Sequence, residues 1–307
     1  MNKRLGMLAA MTGTSIFGFS FMFSRIALSV ASPYVMLMYR FVLAFVTLNV
    51  LVLGLRLAGV DHSKDEQVHW LRFSLRGKNL LPLVVLGLVQ PVIYFICESY
   101  GIKLTNSTFS GVIIALSPIV GLALGALFLR EYPTKAQVAF SLLSIAGVIM
   151  ITLKQSSEGV VRPLGVVLLV LAVLSGTTYN LLSRKAAHFS ALEQTYVMMF
   201  IAAVIFTGMA VWECRGSWQL LIAPVRSLPF MASALYLSVF SSNIAFMSLN
   251  YANSVLPVAR VTSFCNLTTV ISMFAGVIFL HEPFGWVALL ASVIIIIGVW
   301  GVQRKAR

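Results

Sequence analysis

Acidic side chains are scarce in this sequence: nine Asp and Glu stand against twenty-two Lys and Arg, and only 10% of the 307 residues are charged. Soluble domains average about 25% charged residues, so this chain has too few to cover a large water-facing surface. Cysteine is sparse as well. Cys97, Cys214 and Cys265 are scattered without C-x-x-C spacing, which indicates neither a zinc site nor a disulfide framework. The four histidines, His62, His69, His188 and His281, fall in loops or at the ends of apolar runs. No H-E-x-x-H pair, G-x-S-x-G elbow or cluster of His with carboxylates supports hydrolysis. No G-x-x-x-x-G-K-[ST] loop supports an ATPase domain. The chain does not read as an enzyme, and no cofactor or metal is expected.

Apolar residues are abundant instead, at 59% with a mean hydropathy of +0.95. A single soluble core cannot absorb that much, so the outer surface is expected to face acyl chains. The net charge of +13 raises nucleic acid as a partner, but the basic residues sit in short segments between apolar runs. That placement fits topology signals and anionic headgroups better than phosphate contacts.

A membrane span needs roughly 17–25 mostly apolar residues. Leu5–Ser24, Asn79–Cys97, Leu104–Leu129, Pro163–Ser183, Gln194–Trp212, Val261–Leu280 and Pro283–Gln303 each lack Asp, Glu, Lys and Arg. Ala136–Leu153 is shorter and uncharged, Pro33–Leu57 spans if Arg40 is admitted, and Pro229–Tyr251 completes the set. The expectation is an all-α integral membrane protein of ten helices. Lys3-Arg4 and Ser29-Val30-Ala31 sketch a signal peptide around the first run. Its spanning length and internal counterpart argue for a retained helix.

With the N-terminus inside, fourteen Lys and Arg fall on the inner side and five on the outer, so both termini are expected in the cytoplasm of a plasma-membrane protein. The longest connection, Ala58–Lys78, is then cytoplasmic. Its His69-Trp70-Leu71-Arg72-Phe73 segment is either interfacial or an ordinary loop.

Two segments recur. Phe128-Leu129-Arg130-Glu131-Tyr132-Pro133 matches Phe279-Leu280-His281-Glu282-Pro283, and Ser24-Arg25-Ile26-Ala27 matches Ser183-Arg184-Lys185-Ala186. The chain thus divides into two five-helix repeats, residues 1–154 and 162–307. An odd number of helices per repeat makes them inverted in the membrane, the arrangement that places a site near the midplane for alternating access.

Pro33 followed by Tyr39-Arg40-Phe41 and Ala44, Lys103-Leu104-Thr105-Asn106-Ser107 leading to Pro118, and Glu131 and Glu282, each with a glycine sixteen residues on (Gly147, Gly298), form an ordered pattern. In these features the sequence resembles the drug/metabolite transporter superfamily, specifically its EamA-type ten-helix carriers. The second half departs where Thr269 stands for Pro118, and Asn253-Ser254 follows Asn106-Ser107 at 147 residues instead of 151. The resemblance implies a carrier that exports metabolites or amino-acid-like solutes. A non-transporting membrane scaffold or receptor with a carrier fold is the alternative reading, and the oligomeric state stays open.

Gln90, Tyr94, Cys97 and Gly101 form one stripe of a helix; Asn243, Phe246 and Asn250 form a second; Thr262, Asn266 and Thr269 form a third. Gln90, Tyr94, Asn243, Phe246, Asn250, Thr262 and Asn266 are the candidates for a midplane substrate cavity. Hydrogen bonding between helices is the alternative use of such residues. Ser175, Tyr179, Phe17 and Ser20 are further candidates for its wall. Ser117, Gly121 and Gly125 read as close helix packing. Glu98, a carboxylate within a span, reads either as a coupling or cation-contact site or as a salt-bridged structural residue, with Arg40 or Arg25 as partner. The resemblance carries an arginine at Arg40 whatever the solute, which implies folding or gating. Glu131 and Glu282 are expected to cap neighbouring helices or pair with basic groups.

Overall fold

The computed structural model describes residues 3–58, 70–129, 134–157, 161–215, 217–256, 261, 264–282 and 285–304. Its helices are α1 (Lys3–Leu28), α2 (Pro33–Leu57), α3 (Leu81–Leu104), α4 (Ser107–Ile114), α5 (Ser117–Leu129), α6 (Lys135–Ser157), α7 (Pro163–Lys185), α8 (Ala191–Glu213), α9 (Leu228–Val255), α10 (Cys265–Leu280) and α11 (Trp286–Arg304). No strand occurs among the described residues.

Among the described residues, seven helices are long and apolar enough to cross a membrane: α1, α2, α3, Ser107–Leu124, α7, α8 and α9. Shorter apolar helices cover Lys135–Ile151, Leu267–Leu280 and Trp286–Gly298. The outer surface carries large apolar side chains such as Val50, Leu142, Val204 and Ile297. Serine, threonine and asparagine are buried between helices, as at Ser24, Thr177 and Asn253. Apolar outside and polar within is the pattern expected where lipid is the solvent, because an unpaired polar group facing hydrocarbon costs several kcal/mol.

Local chemistry sets the helix starts. Ser32 accepts from Val35 N ahead of Pro33, and Asn106 Oδ1 accepts from Phe109 N at 2.7 Å. Ser190 and Glu193 form a reciprocal capping box at the start of α8. Glu193 also accepts from Ser74 N at 2.8 Å and Lys78 Nζ at 2.6 Å, while Ser190 Oγ donates to the Arg72 carbonyl. The segment before α3 is thereby pinned to α8. His69 lies outside the described residues; Trp70 packs on Tyr251 and Phe73 on Tyr196.

Glu282 fulfils the capping expectation. It follows His281, which takes the left-handed conformation (φ 51°) and donates its N–H to Gly276 O. That turn sends the carboxylate to the start of α4, where it accepts from Ser107 N (2.9 Å), Ser107 Oγ (2.8 Å) and Thr108 N (2.8 Å). Glu131 lies outside the described residues.

The most extensive packings join the two halves of the chain: α6 with α11, α2 with α8, α1 with α10 and α9, α3 with α7, and α4 with α10. Local features also recur between the halves. Arg25 Nη1, near the end of α1, donates to Ile102 O at 3.1 Å, and Arg184 Nη1, near the end of α7, donates to Asn253 O at 3.2 Å. Both α3 and α9 widen into π-helix at corresponding places, Leu88–Ile93 and Tyr236–Ala245. The two acceptor carbonyls, Ile102 and Asn253, are 151 residues apart, the spacing of Glu131 and Glu282, whereas the two arginines are 159 apart.

Candidate functional site

The π stretch of α3 builds the site's floor. Pro91 has no N–H to donate, and Gln90 leaves the helical conformation (φ −141°, ψ 119°). The Val89 carbonyl freed by this break is met by Ser175 Oγ of α7 at 2.7 Å, as irregular backbone within a membrane requires. The break directs Gln90 and, one ordinary turn apart, Tyr94 and Glu98 into a cavity between α1, α2, α3, α7 and α10, with one residue each from α4, α5 and α9. Gly176 of α7 leaves the room: a Cβ there would lie 3.1 Å from the Tyr94 ring and 3.6 Å from Gln90 Oε1.

The cavity holds about 70 Å³ of water-accessible space, enough for about five waters at roughly 10–15 Å³ each. Phe17, Phe21, Ile114, Val173 and Leu249 supply apolar wall; Thr14, Ser20, Ser117, Asn180 and Thr268 supply polar wall.

Two buried ionisable groups face it. Glu98 is 6% exposed and its Oε1 accepts from Tyr94 Oη at 3.0 Å. Arg40 is 1% exposed; its Nε donates to Ser242 Oγ (3.0 Å), its Nη2 to Ser241 Oγ (2.7 Å), and its guanidinium lies 4.0 Å from the Phe95 ring centroid. Both serines belong to the π stretch of α9. Nη1 of Arg40 and Oε1 of Gln90 are buried without a hydrogen-bond partner. Arg40 and Glu98 share the cavity but form no ion pair within 4.0 Å with each other. Arg25, the other candidate partner, is engaged by the Ile102 carbonyl.

Of the expected substrate residues, Gln90 and Tyr94 line the cavity, and so do Glu98 and Arg40. Asn243 lies apart from it: its Nδ2 donates to Ala44 O at 3.0 Å and Thr47 Oγ1 at 2.8 Å, fastening α9 to α2. Asn250 ties three helices, accepting from Tyr179 Oη (2.7 Å) and Ser183 Oγ (2.9 Å) and donating to Thr195 Oγ1 (3.0 Å). Phe246 is fully buried behind the wall, edge-on to Phe17, Phe95 and Tyr179. In this structure the three residues of the α9 stripe contact neighbouring helices and do not line the cavity. Cys97 is buried away from the cavity, and Gly101 packs on Leu169 of α7. Thr262 lies outside the described residues, and only the backbone of Asn266, within α10, is described. Thr269 Oγ1 donates to Gly111 O at 2.9 Å.

Of the further wall candidates, Phe17, Ser20 and Tyr179 line the cavity, whereas Ser175 supports the α3 break behind it. Thr14, Asn180 and Thr268 also line the cavity, outside the polar stripes that the sequence shows. Asn180 is one helical turn from Gly176 and Thr14 two turns from Phe21 on an otherwise apolar helix face, a polar-on-apolar signal that periodicity alone does not rank.

The profile of the EamA-like transporter family matches residues 4–153 and again 163–304. The chain is 31% identical to the uncharacterized transporter YcxC of Bacillus subtilis over 96% of its own length and 91% of that protein. A probable terminal-alkyne amino-acid exporter of Streptantibioticus cattleyicolor is 26% identical over 75% of each chain. A crystal structure of another protein superposes with a TM-score of 0.68 over 98% of both chains at 15% identity, a likeness of fold alone. With both halves matched by one profile and a relative aligned nearly end to end, the chain belongs to the EamA-like transporter family.

Proposed function

We propose that this chain is a secondary carrier that exports small organic metabolites, amino acids and related compounds among them, across the plasma membrane by alternating access. The observation that carries this reading is the buried, partly polar cavity to which both halves contribute, with Gln90 and Arg40 from one and Asn180 and Thr268 from the other. A scaffold has no need of unpaired polar atoms around an internal void, which cost about 1–3 kcal/mol each.

In this reading the chain crosses the bilayer ten times, the shorter apolar helices included, as two inverted repeats (residues 1–154 and 162–307) with both termini in the cytoplasm. The double profile match, the paired arginine contacts and the paired π stretches support the duplication. Rocking of one helix group against another would expose the cavity to each side in turn. Pro91 and the break at Ala115-Leu116 before Pro118 are the hinges, because there the backbone ladder is already interrupted. The amino-acid class draws on the named exporter among the relatives.

The test is counterflow of a pooled, labelled metabolite mixture in proteoliposomes holding the native chain, Gln90→Ala or Asn243→Ala. Uptake lost in Gln90→Ala and kept in folded Asn243→Ala supports a carrier with its site in this cavity. No flux of any solute through folded, oriented protein refutes it.

A further inference from the structure

Arg40 and Glu98 sit on one cavity without an ion pair between them, although direct pairing would offset the cost of burying each. Each is instead left partly committed. The guanidinium spends Nε and Nη2 on two serines and keeps Nη1 open. The carboxylate takes one hydroxyl, from Tyr94. About two turns away along α3, Gln90 Oε1 is a buried acceptor without a partner. The cavity is thus lined by a cationic residue, an anionic residue and an apolar wall of Phe17, Phe21, Ile114 and Val173.

Resting on the carrier reading above, we infer that Arg40, beyond the folding or gating role the resemblance implies, acts with Glu98 to recognise a zwitterion. The solute's carboxylate binds the Arg40 guanidinium, its ammonium binds the Glu98 carboxylate, and a small apolar side chain faces the aromatic and aliphatic wall. This is the chemistry of an α-amino acid with a short aliphatic side chain. A solute with one charge leaves the other residue buried and uncompensated, so selection works against it as much as for the zwitterion.

Counterflow in proteoliposomes tests this with labelled L-alanine, L-serine, L-threonine, L-valine and L-leucine as probes. The N-acetyl derivative, which lacks the ammonium, and the amide, which lacks the carboxylate, serve as competitors of whichever probe exchanges. On the native chain each derivative is expected to compete about tenfold or more weakly than the parent, as loss of a hydrogen bond to a charged group implies. In Glu98→Gln the handicap of the N-acetyl derivative should shrink while that of the amide persists; Arg40→Gln should do the reverse. Derivatives that compete within about twofold of the parent on the native chain overturn the inference, and that measurement needs no variant to fold. Exchange of some other solute, with none of the amino acids exchanging, overturns the inference and leaves the carrier reading standing. Absence of exchange for every solute removes both.

Discussion

Removing the Glu282 carboxylate should loosen the contact between α10 and α4. In Glu282→Ala the two first-turn N–H groups of Ser107 and Thr108 lose their acceptor and the Ser107 hydroxyl loses its own. Hydrogen bonds to a charged group contribute about 1.5–3 kcal/mol each when buried, and the negative charge at a helix N-terminus about 0.3–1 kcal/mol more. The site is only part-buried, so water recovers much of this, and a net loss of about 2–3 kcal/mol is expected. Glu282→Gln keeps one acceptor oxygen and should lose about half as much. In detergent this corresponds to a fall in apparent melting temperature of roughly 5 °C for Glu282→Ala, at about 2–4 °C per kcal/mol for a protein near this size. Gly276→Ala attacks the same contact from the other side: its Cβ would fall onto Thr108 Oγ1 and lie 2.5 Å from Glu282 Oε2 and 3.0 Å from Ser107 Oγ. The two substitutions should therefore be non-additive, the double variant losing about 1 kcal/mol less than the sum. The assay is thermal unfolding followed by size-exclusion of the folded fraction for native, single and double variants. Additive losses, or a Glu282→Ala protein as stable as the native one, would refute the capping argument.

Asn250→Leu takes the acceptor from the Tyr179 hydroxyl and one partner each from Ser183 and Thr195, which keep Gln194 Oε1 and the Ala191 carbonyl; it should cost about 1–3 kcal/mol, read as lowered thermal stability. Gly176→Val pushes a side chain toward Tyr94 and Gln90; it should cut counterflow more than it cuts stability, checked by running both assays on one preparation. Lys78→Ala breaks an ion pair whose lysine is 36% exposed, so the expected loss is under about 1 kcal/mol. A larger drop in melting temperature would mean that the docked segment before α3 matters more than its contacts indicate.

Much of the architecture was legible in the sequence because lipid imposes a simple rule: a span must be apolar and close its own backbone hydrogen bonds. Each expected span overlaps a helix of the structure, and the matched Ser-Arg segments do make matched contacts. The candidate site was legible in part. Gln90, Tyr94, Glu98 and Arg40 were visible as polar groups on apolar helices, and they line one cavity. Asn243 and Asn250 looked the same by that criterion, yet they join helices. A polar residue in a span must find a partner, and sequence does not say whether that partner is a neighbouring helix or a solute.

Hydropathy, charge asymmetry and internal repetition, all of them local or periodic along the chain, fixed the class of protein, the positions of the apolar helices and the family resemblance. Tertiary structure decided what depends on rotation about helix axes. The stripes of α3 and α9 both begin in a π stretch, where an i, i+4, i+7 pattern does not by itself report one face. Which polar atoms remain unpaired, at Arg40 Nη1 and Gln90 Oε1, follows from what the facing helices offer, and no single helix encodes that.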